Sequence, residues 1–188
     1  MTEVSVKTER TAPVDESRGP DAPLVTLRAI RSDNWRAALA LTVLPEQLPF
    51  ISDSPAPVAL ALAKAFVQPG NMTVTPLGIY AGDQIIGFFA LLHEPGRGDR
   101  CWIIHFLIDS RHQRRGYGSA ALHAIVAMLK EQYPHCQSVN LTVNPSNHAA
   151  QHLYRRFGFV ETGEEAFGEP WYRLPLEEQD KMPPPPSE

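Results

Sequence analysis

The sequence predicts an α/β fold folded as one domain, on three observations. At 188 residues and 43% hydrophobic, the chain has material for one well-packed core and too little for two comfortable ones. Between residues 24 and 174, period-two apolar runs alternate with runs of helical period. One run, residues 101–108, is apolar on both faces except for His105, as expected of a strand covered on each side.

Residues 24–30 alternate well enough for a strand. Ser32-Asp33-Asn34 then offers a cap for an Ala- and Leu-rich helix over residues 35–44. Pro45, Pro49, Pro55 and Pro57 break the next stretch before an Ala-rich helix over residues 58–67. Two apolar runs, 77–80 and 85–92, flank Ala81-Gly82-Asp83-Gln84 and read as a hairpin. After the strand at 101–108 comes an amphipathic helix over 118–132, with Leu122, Ile125, Val126 and Leu129 on one stripe. A strand at 139–143, a helix over 147–157 stopped at Gly158, and a strand at 171–174 complete the order β-α-α-β-β-β-α-β-α-β. No internal repeat is present.

The flanks have a different composition. Residues 1–23 mix charges with Thr, Ser, Gly and Pro, lack the apolar block of a secretory signal, and read as a disordered leader. Residues 177–188 are acidic and end in a proline run that favours extended geometry, reading as a second tail around a 24–176 domain. The net charge of -4 belongs to these flanks, because the core holds 13 basic against 12 acidic residues. A near-neutral core argues against a nucleic-acid partner, which demands a basic stripe. No run reaches the roughly 18 apolar residues of a membrane span. Cys101 and Cys136 have no CxxC spacing and no clustered histidines, so neither a disulfide framework nor a metal site is expected, and a reducing, cytoplasmic setting fits.

Two segments carry chemistry. Gln113-Arg114-Arg115-Gly116-Tyr117-Gly118 lies between a buried strand and an amphipathic helix, where two glycines let backbone N–H groups turn inward around an anion and the helix dipole adds to the same point. It reads as a phosphate site or as a plain strand-to-helix turn. It is neither a GxGxxG fingerprint nor a Walker loop. Some thirty residues on, after a strand, stands Asn144-Pro145-Ser146-Asn147-His148-Ala149-Ala150-Gln151-His152-Leu153-Tyr154-Arg155-Arg156-Phe157-Gly158-Phe159. By spacing alone, Tyr154 reads first as a core tyrosine in line with Ala150, Leu153 and Phe157.

Together with Phe106-Leu107-Ile108-Asp109, these segments resemble the GNAT family of N-acetyltransferases, whose pattern is strand, Q/RxxGxG/A, helix, strand, then NxxAxxLYxxxGF. The spacing matches over residues 104–159, and the element order extends the match over 24–174. The resemblance implies a mixed, mostly antiparallel central sheet flanked by helices, with a splay between two parallel strands, and acetyl-CoA as co-substrate. It places the pyrophosphate on the Gln113 turn, against the amides of Arg114, Arg115, Gly116, Gly118 and Ser119. Pantetheine falls along the main chain near Phe106 and Ile108, and Asn147 contacts the arm or the adenine side. Tyr154 faces the sulfur as the acid. That chemistry is sensible, because an amine attacking a thioester builds charge on the carbonyl oxygen and then on sulfur, where a backbone donor and a hydroxyl lower the barrier most.

His105 is the titratable side chain inside the central strand. It is a candidate base, its ordinary pKa of about 6.5 suiting neutral pH, or a hydrogen-bonded structural residue. Period two puts it on the face of Cys101 and Ile103. Arg111, Arg114, Arg115, Arg155 and Arg156 are candidates for coenzyme phosphates, with Arg114 and Arg115 first. Cys101, at the start of the strand, reads as core, so direct attack in a ternary complex is expected rather than a cysteine acyl-enzyme. For the acceptor, Asn34, Leu41, Gln47, Phe50 and Ile51 together with the hairpin look like bacterial spermidine/spermine and diamine acetyltransferases. Glu46, Asp53 and Glu94 could line an opening for a cationic amine, or be ordinary surface charge. A protein N-acetyltransferase and a non-catalytic acyl-CoA-binding module remain the other readings. Many proteins of this fold pair through end strands, though nothing in the sequence requires a homodimer.

Overall fold

The computed structural model describes residues 23–51, 56–166 and 168–176. A seven-stranded mixed sheet runs in the order β1-β2-β3-β4-β5-β7-β6. The strands are β1 Thr26–Ala29, β2 Thr73–Ala81, β3 Gln84–Glu94, β4 Arg97–Ile108, β5 Ser138–Thr142, β6 Val160–Ala166 and β7 Glu169–Pro175. The helices are α1 Trp35–Leu39, α2 Pro57–Val67, α3 Tyr117–Gln132 and α4 His148–Phe157. Every neighbouring pair is antiparallel except β4 and β5, and β4 is the middle strand, as its apolar sequence requires.

The sheet buries a core on each face. On one face α3 sets Ala121, Leu122, Ile125 and Leu129 against Ile79, Phe89, Ile103 and Val139. On the other, Ala38 of α1 and Val58 and Ala61 of α2 pack on Val74, Phe88, Ala90 and Leu107. Gly87 is needed where β3 and β4 approach, since a Cβ there would lie 2.6 Å from the Leu107 carbonyl oxygen.

Three details depart from the sequence reading. The first helix ends at Leu39 rather than 44, and Asn34 does not cap it with its side chain. Asn34 instead accepts from Arg31 N–H and donates to the Ala29 carbonyl. The helix stops where Thr42 donates its N–H to Asp109 Oδ2 at 3.1 Å, and the Thr42 carbonyl accepts from Ser110 N–H. A strand unseen in the sequence, β6, forms the edge beside β7. Its residues are mostly polar and exposed, so no apolar alternation marked it. The third is a bulge in β4, where two residues stand against one of β3 between the pairs Phe88↔Leu107 and Ala90↔Ile104. The leader at residues 1–22, the tail at 177–188 and Asp53 lie outside the described residues.

Candidate active site

β4 and β5 pair only from Arg100↔Ser138 to Trp102↔Asn140. Beyond that point β4 stays with β3 as far as Ile108, while β5 follows β7. Buried Asn140 sits at the root of this splay. Its Nδ2 donates to the Cys101 carbonyl at 3.3 Å, and its Oδ1 accepts from Trp171 Nε1 at 2.9 Å. The parting strands leave the main chain of Ile103 to Ile108 along one wall of a cleft of about 1920 Å³.

Within β4, Phe88 pairs with Leu107 and Ala90 with Ile104, so His105 and Phe106 together oppose Phe89. His105 takes the left-handed conformation, φ 54°, at a cost of about 1 kcal/mol or more for a non-glycine residue. The bulge also changes which way His105 faces. Simple alternation puts it with Cys101 and Ile103, but the extra residue turns it toward α2, where its Nε2 lies 3.4 Å from Lys64 Nζ. Burial, and then the Lys64 ammonium, lower His105 to about 4, so it is neutral at physiological pH.

The turn after β4 is held from below by Asp109. This carboxylate is fully buried, and burial alone would raise its pKa. Hydrogen bonds from Arg111 and from the Thr42 and Arg111 amides outweigh that and bring it to about 2. Arg111 is thereby spent on structure, its Nε 2.7 Å from Asp109 Oδ1. Gln113 is likewise engaged, donating to the Ile108 carbonyl at 2.9 Å and exchanging amide bonds with Gln47. Its side chain joins the turn to the loop after α1, and what it offers an anion is backbone. Arg114 (φ 60°) and Gly116 (φ 79°) both adopt the left-handed conformation, the local geometry of an anion-binding concavity, and α3 begins at the next residue.

α4 brings up the opposite wall. Asn147 accepts from Ala150 N–H and caps this helix, so its Nδ2 is what it could offer a ligand. Gly158, φ 111°, ends it. Tyr154 is buried, with its ring 6.4 Å from Phe106 across the splay. Burial, and then the Glu169 carboxylate, raise its pKa, so the hydroxyl stays protonated.

Tyr154, His105, Phe106, Ile108, Asn147 and the turn from Gln113 to Ser119, its Tyr117 apart, line this one cleft, whereas Arg111, a candidate for the coenzyme phosphates, does not. Arg114, Arg115 and Arg156 line it too, whereas Arg155 is bound to Glu161 and the Tyr172 hydroxyl. Glu46 and Glu94 are not part of the lining. Among the described residues the lining carboxylate is Glu169, at the start of β7, which the sequence reading passed over. Cys101 is buried, and its thiol is held protonated by hydrogen bonding to Cys136 and by burial, so it offers no nucleophile.

Residues 34–159 match the family model described as Acetyltransferase (GNAT) family. The chain is 32% identical over 145 residues to a spermine/spermidine N(1)-acetyltransferase of Bacillus subtilis, covering 74% of this chain and 90% of that protein. The fold is shared with a spermidine N-acetyltransferase from Vibrio cholerae solved with CoA and spermine (TM-score 0.61, 20% identity, 81% of this chain and 94% of that one). It is shared also with the GNAT domain of a protein named PAT from S. lividans (TM-score 0.64, 19% identity, 80% and 89%). Among the described residues no helix is long and apolar enough to cross a membrane.

Proposed function

This chain belongs to the acetyltransferase (GNAT) family and is an N-acetyltransferase, and from that premise we propose that it transfers acetyl from acetyl-CoA to a primary amine of a polyamine such as spermidine or spermine. The observation that carries the acceptor class is Glu169, a carboxylate on the cleft wall close enough for its charge to act on Tyr154. A cationic amine gains from a carboxylate beside the transfer point. The likeness to the Bacillus enzyme supports the same class.

In this reading the amides from Arg114 to Ser119 hold the pyrophosphate, with Arg114 and Arg115 adding charge. The exposed main chain near Phe106 and Ile108 pairs with the pantetheine arm. A backbone donor of β4 meets the carbonyl oxygen, and the Tyr154 hydroxyl donates toward sulfur as charge collects there. His105, neutral and accepting at Nε2, takes the amine's proton directly or through water. The buried Cys101 leaves direct attack in a ternary complex. Residues 24–176 form the catalytic domain between two polar tails, in a reducing, cytoplasmic setting.

The test is thiol release from acetyl-CoA against polyamines, amino acids, aminoglycosides and N-terminal peptides. Selective turnover of spermidine or spermine is expected. Turnover of peptides with polyamines ignored would sink the acceptor assignment. Binding of acetyl-CoA without turnover of any amine would sink the enzymatic reading of this cleft.

A further inference from the structure

The cleft already contains a primary amine. Lys64 reaches from α2 to the bulge of β4, and its Nζ lies 3.4 Å from His105 Nε2. Both residues line the cleft, as do Phe106, the next residue of the bulge, and Tyr154, whose ring faces Phe106. A lysine in a helix ordinarily carries its ammonium out to water. This one is half-buried, on the face that buries Pro57 and Ala61, and points at the strand along which the acyl donor is placed.

We propose that Lys64 is an intramolecular acetyl acceptor, so that the enzyme acetylates its own Lys64 when no amine substrate is bound. This rests on the acetyl-transfer reading of the cleft but not on a polyamine as the acceptor. The Lys64 ammonium gives a proton to His105 Nε2, and its nitrogen forms a bond to the acetyl carbon. The carbon–sulfur bond breaks, its electron pair goes to sulfur, and the Tyr154 hydroxyl stabilises the thiolate until it takes up the proton held by His105. The nitrogen's second proton leaves to solvent, so acetyl-CoA and a lysine ammonium yield acetyl-lysine, CoA thiol and one proton. Geometry favours it, because a nucleophile held beside the donor reacts at an effective concentration far above any added amine. The result matters for acceptors. Acetylation removes a positive charge from the side of the cleft next to His105, where an ammonium repels a cationic substrate.

The experiment incubates the full chain with acetyl-CoA alone and follows intact mass and peptide maps. One added acetyl group at Lys64 is expected. Its half-time should be unchanged over a tenfold range of protein concentration. Lys64 should be labelled at least tenfold faster than Lys130, which is exposed on α3 and reports uncatalysed acetylation. K64R should remove this label, and Y154F should slow it at least tenfold. Equal labelling of Lys64 and Lys130, an unchanged rate in Y154F, or a rate rising with protein concentration would each overturn the proposal. Spermidine turnover measured in parallel separates the two readings. Label at Lys64 without spermidine turnover removes only the polyamine assignment, and turnover with Lys64 left unlabelled removes only this inference.

Discussion

Replacing Tyr154 by Phe tests the transfer chemistry with little disturbance of the fold. The ring packs beside Phe106 and Phe159, at 6.4 and 5.7 Å between centroids, and phenylalanine keeps both contacts. The hydroxyl has no hydrogen-bond partner among the described residues, so its loss orphans no buried group. Stability should therefore change by less than about 1 kcal/mol. Catalysis should not be spared. Removing one donor aimed at developing charge costs roughly 3 kcal/mol, and at about 1.4 kcal/mol per decade that is a fall in kcat of about a hundredfold or more. The Kd for acetyl-CoA should stay within about twofold, since the interaction acts in the transition state. Steady-state thiol release, acetyl-CoA titration and thermal melting supply the three readouts. A kcat within threefold of the parent together with weakened acetyl-CoA would refute the acid role and leave Tyr154 as a packing residue.

The carboxylate on the wall should be felt mainly by the acceptor. E169Q should raise KM for spermidine about tenfold, near 1.4 kcal/mol, and leave acetyl-CoA affinity unchanged; an unchanged KM would remove Glu169 from the acceptor site. For His105, a pKa lowered to about 4 means that the base is lost only as pH falls through that value. The acidic limb of kcat/KM is expected near pH 4 in the parent and absent from H105N, and a limb at 6.5 would contradict the burial of the imidazole. Asp109 has a folded pKa of about 2, below its unfolded value of 3.8. Its contribution is thus fully present above pH 3.8 and lost as pH falls toward 2. D109N should cost about 3 kcal/mol in urea unfolding at pH 7, and the deficit should shrink below pH 3.8; a deficit independent of pH would show that the charge is not what matters.

What could be read from the sequence was what neighbouring residues decide together. The turn from Gln113 to Gly118 and the helix capped by Asn147 and ended by Gly158 each depend on a few adjacent side chains and backbone angles, and both lie where the spacing put them. The features missed depend on partners far along the chain. α1 stops short because Thr42 is drawn to Asp109, 67 residues away. The bulge at His105 exists only as a count of two residues against one on β3, and that count is invisible in β4 alone. Glu169 gains meaning only from standing near Tyr154. Lys64 did carry a signal, since it follows Pro57 and Ala61 at seven and three residues, on the buried stripe of its helix.

The bulge joins these observations. Without the extra residue, strict alternation would send the His105 side chain toward α3 and leave Lys64 facing an apolar strand, where an unpaired ammonium is costly. With it, His105 faces α2 and gives that ammonium a neutral acceptor. The left-handed backbone at His105 costs about as much as one good hydrogen bond returns. Stability alone therefore gives little reason for a histidine at φ 54°, where glycine would sit unstrained. In the proposed reading the strained residue supplies a base beside the Lys64 amine, at the strand where the two walls of the cleft part. Replacement by glycine would relieve the φ of 54° and remove that arrangement, so on the proposed reading the strain belongs to the chemistry rather than to the fold.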